Sequence, residues 1–478
     1  MTMRKQILSG LKWTAGAKIV SQIITWGITL IVMRLLTPGD YGLLAMASVF
    51  IAFMLMIAEA GLSNALVQKK EIDETSLRQI FGIVITVNIC FLVIFNLLSP
   101  VIANFFGDER LVPIMRVLSL QFLFVIVSTI PAALLHRELK FKNLSLIELI
   151  TGVFSSVLVL IMAFADYGVW SLVIGSTFGG FIRALTIYFS APFYKLPIFS
   201  LQGMSGFLSF GGNLTVARFL SFFFNQADIL IVGKLLGKEM LGYYSVAMHL
   251  ASLPVQRVTS ILYQVTFPIF SRFQDDRERL GETMIKAMHA LSFFAFPVLW
   301  GIASIANEFV LYFLGGKWQD AILPLQLLAL IMPLRMLINF SVSVTDSYGR
   351  PDVHMKNLLL ASIVVPPAIL IGSQWGIVGV GVAWVTVYPV VFLANSSRTL
   401  SVMGLQLPNL LYVIAPVVAA TAGMYATVWG VRRLLAGDIS QLTMLIVLIV
   451  VGVLMYGGLT LILNKRGYRE VIGLFGKS

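Results

Sequence analysis

Residues 30–47 read LIVMRLLTPGDYGLLAMA, and residues 230–247 read LIVGKLLGKEMLGYYSVA. Shifted by 200, the two stretches agree at seven of eighteen positions without a gap, where about one or two matches would arise by chance in so apolar a composition. Arg34 falls opposite Lys234, and upstream Lys18 falls on Arg218, Ser21 on Ser221 and Thr25 on Asn225. Each copy is an apolar run, a short polar turn and a second apolar run, which is the pattern of two membrane helices and their connection. The chain reads as a duplicated helical membrane unit.

Composition agrees. Of 478 residues 58% are hydrophobic and 12% charged, with mean hydropathy +0.91, whereas a soluble domain is about a quarter charged. Disorder, a disulfide scaffold, a nucleic-acid-binding domain and a large soluble catalytic domain are excluded as whole-chain readings. The single cysteine, Cys90, leaves no intramolecular disulfide. His136, His249, His289 and His354 form no ligand spacing, so no metal or cofactor is expected.

Apolar runs against polar breaks predict an all-α polytopic protein of about fourteen helices, near 11–36, 41–66, 79–103, 113–135, 143–165, 168–190, 206–236, 242–268, 283–312, 321–345, 355–373, 375–396, 408–431 and 441–463. Six spans separate the repeat copies, so both run in the same direction. Two parallel six-helix lobes follow, 1–190 and 206–396, joined by a cytoplasmic linker at 191–205 and extended by helices 13 and 14 with a tail at 397–478. With the N-terminus inside, the inner connections and tails hold 21 of the 34 basic residues and the outer connections five (Arg110, Lys238, Lys317, Arg432, Arg433). That asymmetry places both termini in the cytoplasm and accounts for most of the net charge of +12.

Polar residues within the spans mark the candidate site. Ser21 and Thr25 on helix 1 and Ser221 and Asn225 on helix 7 share helical faces with Lys18 and Arg218. Lys18, Arg218, Arg257 and Arg335 fall in the inner half of their helices, where a lipid-facing cation costs about 2.5–3.5 kcal/mol. Three readings compete for them: a wet cavity, structural pairing with acids such as Glu59 and Glu148, and snorkelling to the interface. The cavity reading is favoured, because Asp228 lies ten residues from Arg218 on one helix and leaves positive charge in excess. Glu59 and Asp228 are the candidates for ion coupling. Trp13, Trp26, Phe222, Phe223, Phe224 and Tyr263 serve equally as sugar-stacking or packing residues. A cationic inner cavity suits an anionic substrate, and no phosphate loop for ATP is present.

Four segments carry a family likeness, the first two the most specific: MRLLTPGDYGLLAMA (33–47), FPIFSRFQDDRERL (267–280), GGKWQDAILPLQLLAL (315–330) and SYGRPDVHMKN (347–357). They resemble the Wzx-type polysaccharide exporters of the multidrug/oligosaccharidyl-lipid/polysaccharide (MOP) superfamily, over essentially the whole chain. The resemblance implies two lobes around a V-shaped cavity and transfer of an undecaprenyl-pyrophosphate-linked oligosaccharide from the inner to the outer leaflet of the bacterial plasma membrane. It implies the lipid-linked oligosaccharide and the bilayer as partners, with a polysaccharide polymerase and export machinery beside them, and no nucleic acid. A lipid II flippase would share the charge logic but lack these segments. A multidrug exporter would carry an acid in the middle of helix 1, where this chain has Lys18. A membrane-embedded polymerase or glycosyltransferase needs an extramembrane catalytic loop, and the connections here are too short. The expectation is a transporter, not an enzyme.

Overall fold

The computed structural model describes residues 22, 24–59, 73–138, 140–200, 202, 205–270, 276–435, 437 and 439–465, with only the backbone course for 59, 141, 205–218, 257 and 260–269. All regular structure among them is helical. The elements are α1 (Ile24–Leu35), α2 (Pro38–Glu59), α3 (Glu74–Phe106), α4 (Leu111–Leu118), α5 (Gln121–Arg137), α6 (Phe141–Phe164) and α7 (Val169–Ser190). There follow α8 (Ser205–Phe270), α9 (Arg277–Phe309), α10 (Ile322–Ser347), α11 (Pro351–Gly372), α12 (Gly376–Val402), α13 (Leu407–Leu434) and α14 (Gln441–Leu463). Eleven described stretches are long and apolar enough to cross a membrane, and the protein is a multi-pass membrane protein. Phe219–Gln256 turns at Gly237 (φ 81°), and Pro351–Val402 is interrupted by the 3-10 turn Ser373–Trp375.

The helix ends explain the four segments. In TPGD (37–40), Thr37 caps α2 and Pro38 opens it. The Asp40 carboxylate accepts from Thr37 N at 2.9 Å and from Thr37 Oγ1 at 2.6 Å, while Asp40 N donates back to Thr37 Oγ1 at 3.3 Å. This is a reciprocal cap with proline at the first helical position. In QDDRERL, Asp276 accepts from Arg279 N at 3.0 Å and caps α9. In SYGRPD, Gly349 (φ 75°) lies between α10 and α11, Pro351 opens α11, and Arg350 forks onto Asp352 at 2.8 and 3.0 Å. In GGKWQDA, Gly315 (φ 92°) leads into a 3-10 turn, Gly316–Ala321, whose Trp318 is fully buried. All four are places where the chain must turn at a helix end.

Two local differences from the sequence reading have physical causes. The stretches between the predicted helices 41–66 and 79–103, and between 242–268 and 283–312, are partly helical, because Asp73 and Asp276 cap α3 and α9 before the apolar runs begin. The fourth predicted helix is two, α4 and α5: Ser119 sits at the break, donates to Arg116 O at 2.6 Å and accepts from Asn96 at 2.9 Å. Between the predicted seventh and eighth helices the backbone of Gly237 (φ 81°, ψ 179°) is not helical, so two helices meet there as the sequence reading places them.

The chain divides into two compact units, Met1–Gly242 and Tyr243–Ser478. In the first, α7 packs on α4, α5 and α6, α3 packs on α4 and α5, and α2 on α3, α4 and α7. In the second, α9 packs on α10, α13 and α14, and α12 on α10 and α11.

Candidate functional site

In the first unit the polar face of α8 runs through Ser221, Asn225 and Asp228. Ser221 is half-buried and Asn225 exposed, with Asn225 Nδ2 donating to Ser221 O at 2.7 Å. One turn on, Asp228 is buried, and its Oδ1 accepts from Ile229 N at 2.9 Å. Opposite this stretch, Phe53 of α2 packs on Phe219 and Phe222, with centroids at 5.6 and 5.5 Å. Phe222 is therefore a packing residue, whereas Trp26 and Phe223 are exposed. On α1, Thr25 is half-buried and its carbonyl accepts from Thr29 Oγ1 at 2.7 Å. Lys18, Ser21 and Trp13 lie outside the described residues, as do the side chains of Glu59, Arg218, Arg257 and Tyr263. Glu148 is exposed on α6.

In the second unit, Arg335 of α10 is half-buried against an aromatic group. Its guanidinium carbon is 5.2 Å from the Trp384 ring centroid, Nη1 lies 3.8 Å from Met248 Sδ, and the Tyr388 phenol is a further partner. Trp384 Nε1 donates in turn to Tyr244 Oη at 2.9 Å. Trp384, Tyr388 and Tyr244 are all buried. A desolvated cation over such a face is stabilised by about 2 kcal/mol. The group joins α8, α10 and α12 inside the helical bundle.

Two further charged groups escaped the sequence reading. Asp108, in the turn after α3, accepts from Arg110 at 2.9 and 2.6 Å and from Lys238 Nζ at 2.9 Å. These bonds hold its carboxyl well below the usual carboxylate range, the Arg110 bond most strongly. Lys234 adds a bond to the Phe105 carbonyl and lies 4.8 Å from the Phe105 ring. In the second unit, Glu308 of α9 forks onto Arg432 of α13, both oxygens at 2.7 Å, and Arg432 also donates to the Ser304 carbonyl. Glu308 is buried. Arg432 reads from sequence as an exposed loop cation; only the helix packing reveals its partner, 124 positions away.

The sequence profile of the family described as "Polysaccharide biosynthesis protein" matches residues 31–323, more than half of the chain. The chain belongs to this family. The polysaccharide biosynthesis family match begins within α1, before the TPGD cap, and takes in the capped start of α9. Among curated relatives, it is 28% identical over 392 residues to the lipopolysaccharide biosynthesis protein WzxC of Escherichia coli, covering 81% of this chain and 79% of that protein. It is 27% identical to the teichuronic acid biosynthesis protein TuaB of Bacillus subtilis (82% and 81% covered). It is 22% identical to the succinoglycan biosynthesis transport protein ExoT of Rhizobium meliloti (80% and 78%). The resemblance to Wzx-type exporters carried by the four segments is borne out. The fold is also that of the lipid II flippase MurJ in an inward closed conformation, with TM-score 0.75, 17% identity, and 96% of this chain and 99% of that one covered. A multidrug MATE transporter of the MOP superfamily in its inward-facing form matches with TM-score 0.61 and 14% identity, over 80% and 95%.

Proposed function

We propose that this family member is a flippase that moves an undecaprenyl-pyrophosphate-linked oligosaccharide repeat unit from the cytoplasmic to the outer leaflet of the bacterial plasma membrane by alternating access, for assembly of a surface or exported polysaccharide. The observation that carries the reading is likeness over about four-fifths of the chain to proteins named for lipopolysaccharide, teichuronic acid and succinoglycan biosynthesis, the last a transport protein, on a MurJ-like helical fold. The protein acts as a transporter and catalyses no glycosyl transfer. It delivers its cargo to a polymerase and export machinery.

In this reading the breaks at Gly237 and at 373–375 each separate two crossings, which with the apolar helix Ile24–Leu35 supports fourteen. Two six-helix lobes, 1–190 and 206–396, flank the cavity, and both termini are cytoplasmic. Lys18, Arg218, Arg257 and Arg335 form its cationic lining. Ser21, Thr25, Ser221 and Asn225 supply the polar faces that bind sugar hydroxyls. Glu59 and Asp228 couple movement to an ion gradient, a role the burial of Asp228 suits. A substrate shifts an alternating-access equilibrium only through different affinity for the two states, and a pyrophosphate that neutralises repulsion between Lys18 and Arg218 supplies that difference.

The test is a deletion strain assayed for its lipid-linked oligosaccharide. The precursor should still form and accumulate in the inner leaflet while the polysaccharide disappears from the surface. Failure of the precursor to form would make a synthetic enzyme the better reading.

A further inference from the structure

Two cavities in the second unit follow one another along the same three helices. One, of about 790 Å³, opens between the start of α9, the turn before α13 and the end of α14, and its polar lining includes Lys286, His289, Gln406, Asn409, Asn464 and Lys465. The other, of about 600 Å³, continues along α9, α13 and α14 and is apolar, walled by Phe294, Val298, Ile305, Ile449 and Val453. They meet within one helical turn on each side, between His289 and Phe293 on α9 and between Thr460 and Asn464 on α14. At that junction His289 and Asn464 are both buried, with Asn464 Nδ2 and His289 Nε2 at 3.2 Å. Glu282 also lines the polar end and sits 3.4 Å from Lys286, so it takes up part of that charge while Lys465 adds to it.

The groove has the polarity profile of a lipid: cationic mouth, polar neck, apolar run. Its length selects the kind. From Phe293 to Ile305 is twelve residues, about 18 Å of helix, and one leaflet of hydrocarbon is about 15 Å deep. A single acyl chain fills that run, whereas a polyprenyl chain, several times longer than a leaflet is thick, would leave most of itself outside.

We propose that this groove is a binding site for an anionic glycerophospholipid, its phosphate at Lys286 and Lys465, its glycerol region beside His289 and Asn464, and one acyl chain laid along α9 and α14. The site does not depend on what the protein transports. It ties α13 and α14 to α9 through a bound lipid in addition to their own packing.

Full-length protein, purified and stripped of lipid, is titrated with phosphatidylglycerol and with phosphatidylcholine and followed by native mass spectrometry. Wild type should hold one phosphatidylglycerol about fivefold more tightly than phosphatidylcholine, the effect of roughly one lysine at an anionic surface. The double variant Lys286→Ala, Lys465→Ala should lose that preference and still bind both lipids. A Cβ at Gly457 or Gly301, which line the apolar run, meets nothing within 4 Å. Gly457→Trp or Gly301→Phe should therefore fill the groove, keep the lipid-free melting temperature and reduce binding of both lipids. Equal affinity for the two lipids in wild type would overturn the proposal, as would an undiminished preference in the lysine variant. Displacement of phosphatidylglycerol by an equal concentration of polyprenyl pyrophosphate would instead assign the groove to that lipid and overturn it as well.

Discussion

Gly42 and Gly242 hold equivalent positions in the repeat, and each lies against the backbone carbonyl of the residue four positions before the other. A Cβ on Gly42 would collide with Lys238 O, and a Cβ on Gly242 with Pro38 O. The exchange is reciprocal. Neither collision can be relieved by a rotating side chain, because both obstacles are main-chain atoms. Gly42→Ala and Gly242→Ala should each lower stability by about 1–3 kcal/mol, read as a lower melting temperature in detergent. Gly430→Ala, in a helix interior with open space around it, is the control and should be neutral or stabilising by about 0.5–1 kcal/mol. Equal behaviour of all three would show that the close approach does not matter.

The Glu308–Arg432 fork joins α9 to α13, and removing Arg432 strands the buried Glu308 side chain while removing Glu308 strands a half-buried guanidinium. Arg432→Met should destabilise by about 3–5 kcal/mol, and so should Glu308→Gln, whereas the double variant should recover much of the loss. Thermal denaturation of the three variants measures this as a mutant cycle. Additive losses would mean that the two residues act independently.

Asp108 gives a pH dependence of definite sign. Its folded-state carboxyl titrates well below the ordinary range, so the folded state prefers the ionised form. The stabilisation is complete above the ordinary carboxylate pKa of about 4 and is lost as pH falls from there toward the lower folded value. Asp108→Asn should melt below wild type at neutral pH, with the gap narrowing as acid protonates the wild-type carboxyl. A gap that stays constant down to about pH 3 would exclude the Arg110 and Lys238 bonds as its source.

Lys18→Ala and Arg218→Ala test the proposed clamp. Each should impair export while leaving the protein inserted and abundant, and Lys18→Arg should be milder than Lys18→Ala because it keeps the charge but changes donor geometry. Pairing with Glu59 or Glu148 predicts the opposite: loss of abundance, restored when the acid is removed too. Normal export by a stable double alanine variant would end the clamp hypothesis.

Much of the fold was legible from the chain because membrane helices announce themselves locally. The predicted 441–463 coincides with α14, and 408–431 and 355–373 differ from α13 and α11 by only a few residues. The break at Ser119 was not legible, since a serine in an apolar run is ordinary and its bond to Asn96 spans 23 positions. The candidate site was legible only in outline. Thr25, Ser221, Asn225 and Asp228 could be ordered on helix faces from spacing alone, and Asp228 is buried as a coupling acid within the membrane would be, but the exposure of Asn225 beside it was not legible.

The sequence by itself determined that this is a helical membrane protein with an internal duplication, where most of its helices run, and, through four capping segments, which family it belongs to. Those features depend on the hydropathy of contiguous residues and on cap chemistry within a few positions, which any local reading can reach. Only the tertiary structure decided the partners of isolated charges. Arg335 lies over the Trp384 ring, Arg432 reaches back to Glu308, and Asp108 gathers Arg110 and Lys238. A charge inside a membrane protein must be satisfied by whatever helix packing brings near, and packing couples residues more than a hundred positions apart with no trace in the order of the chain.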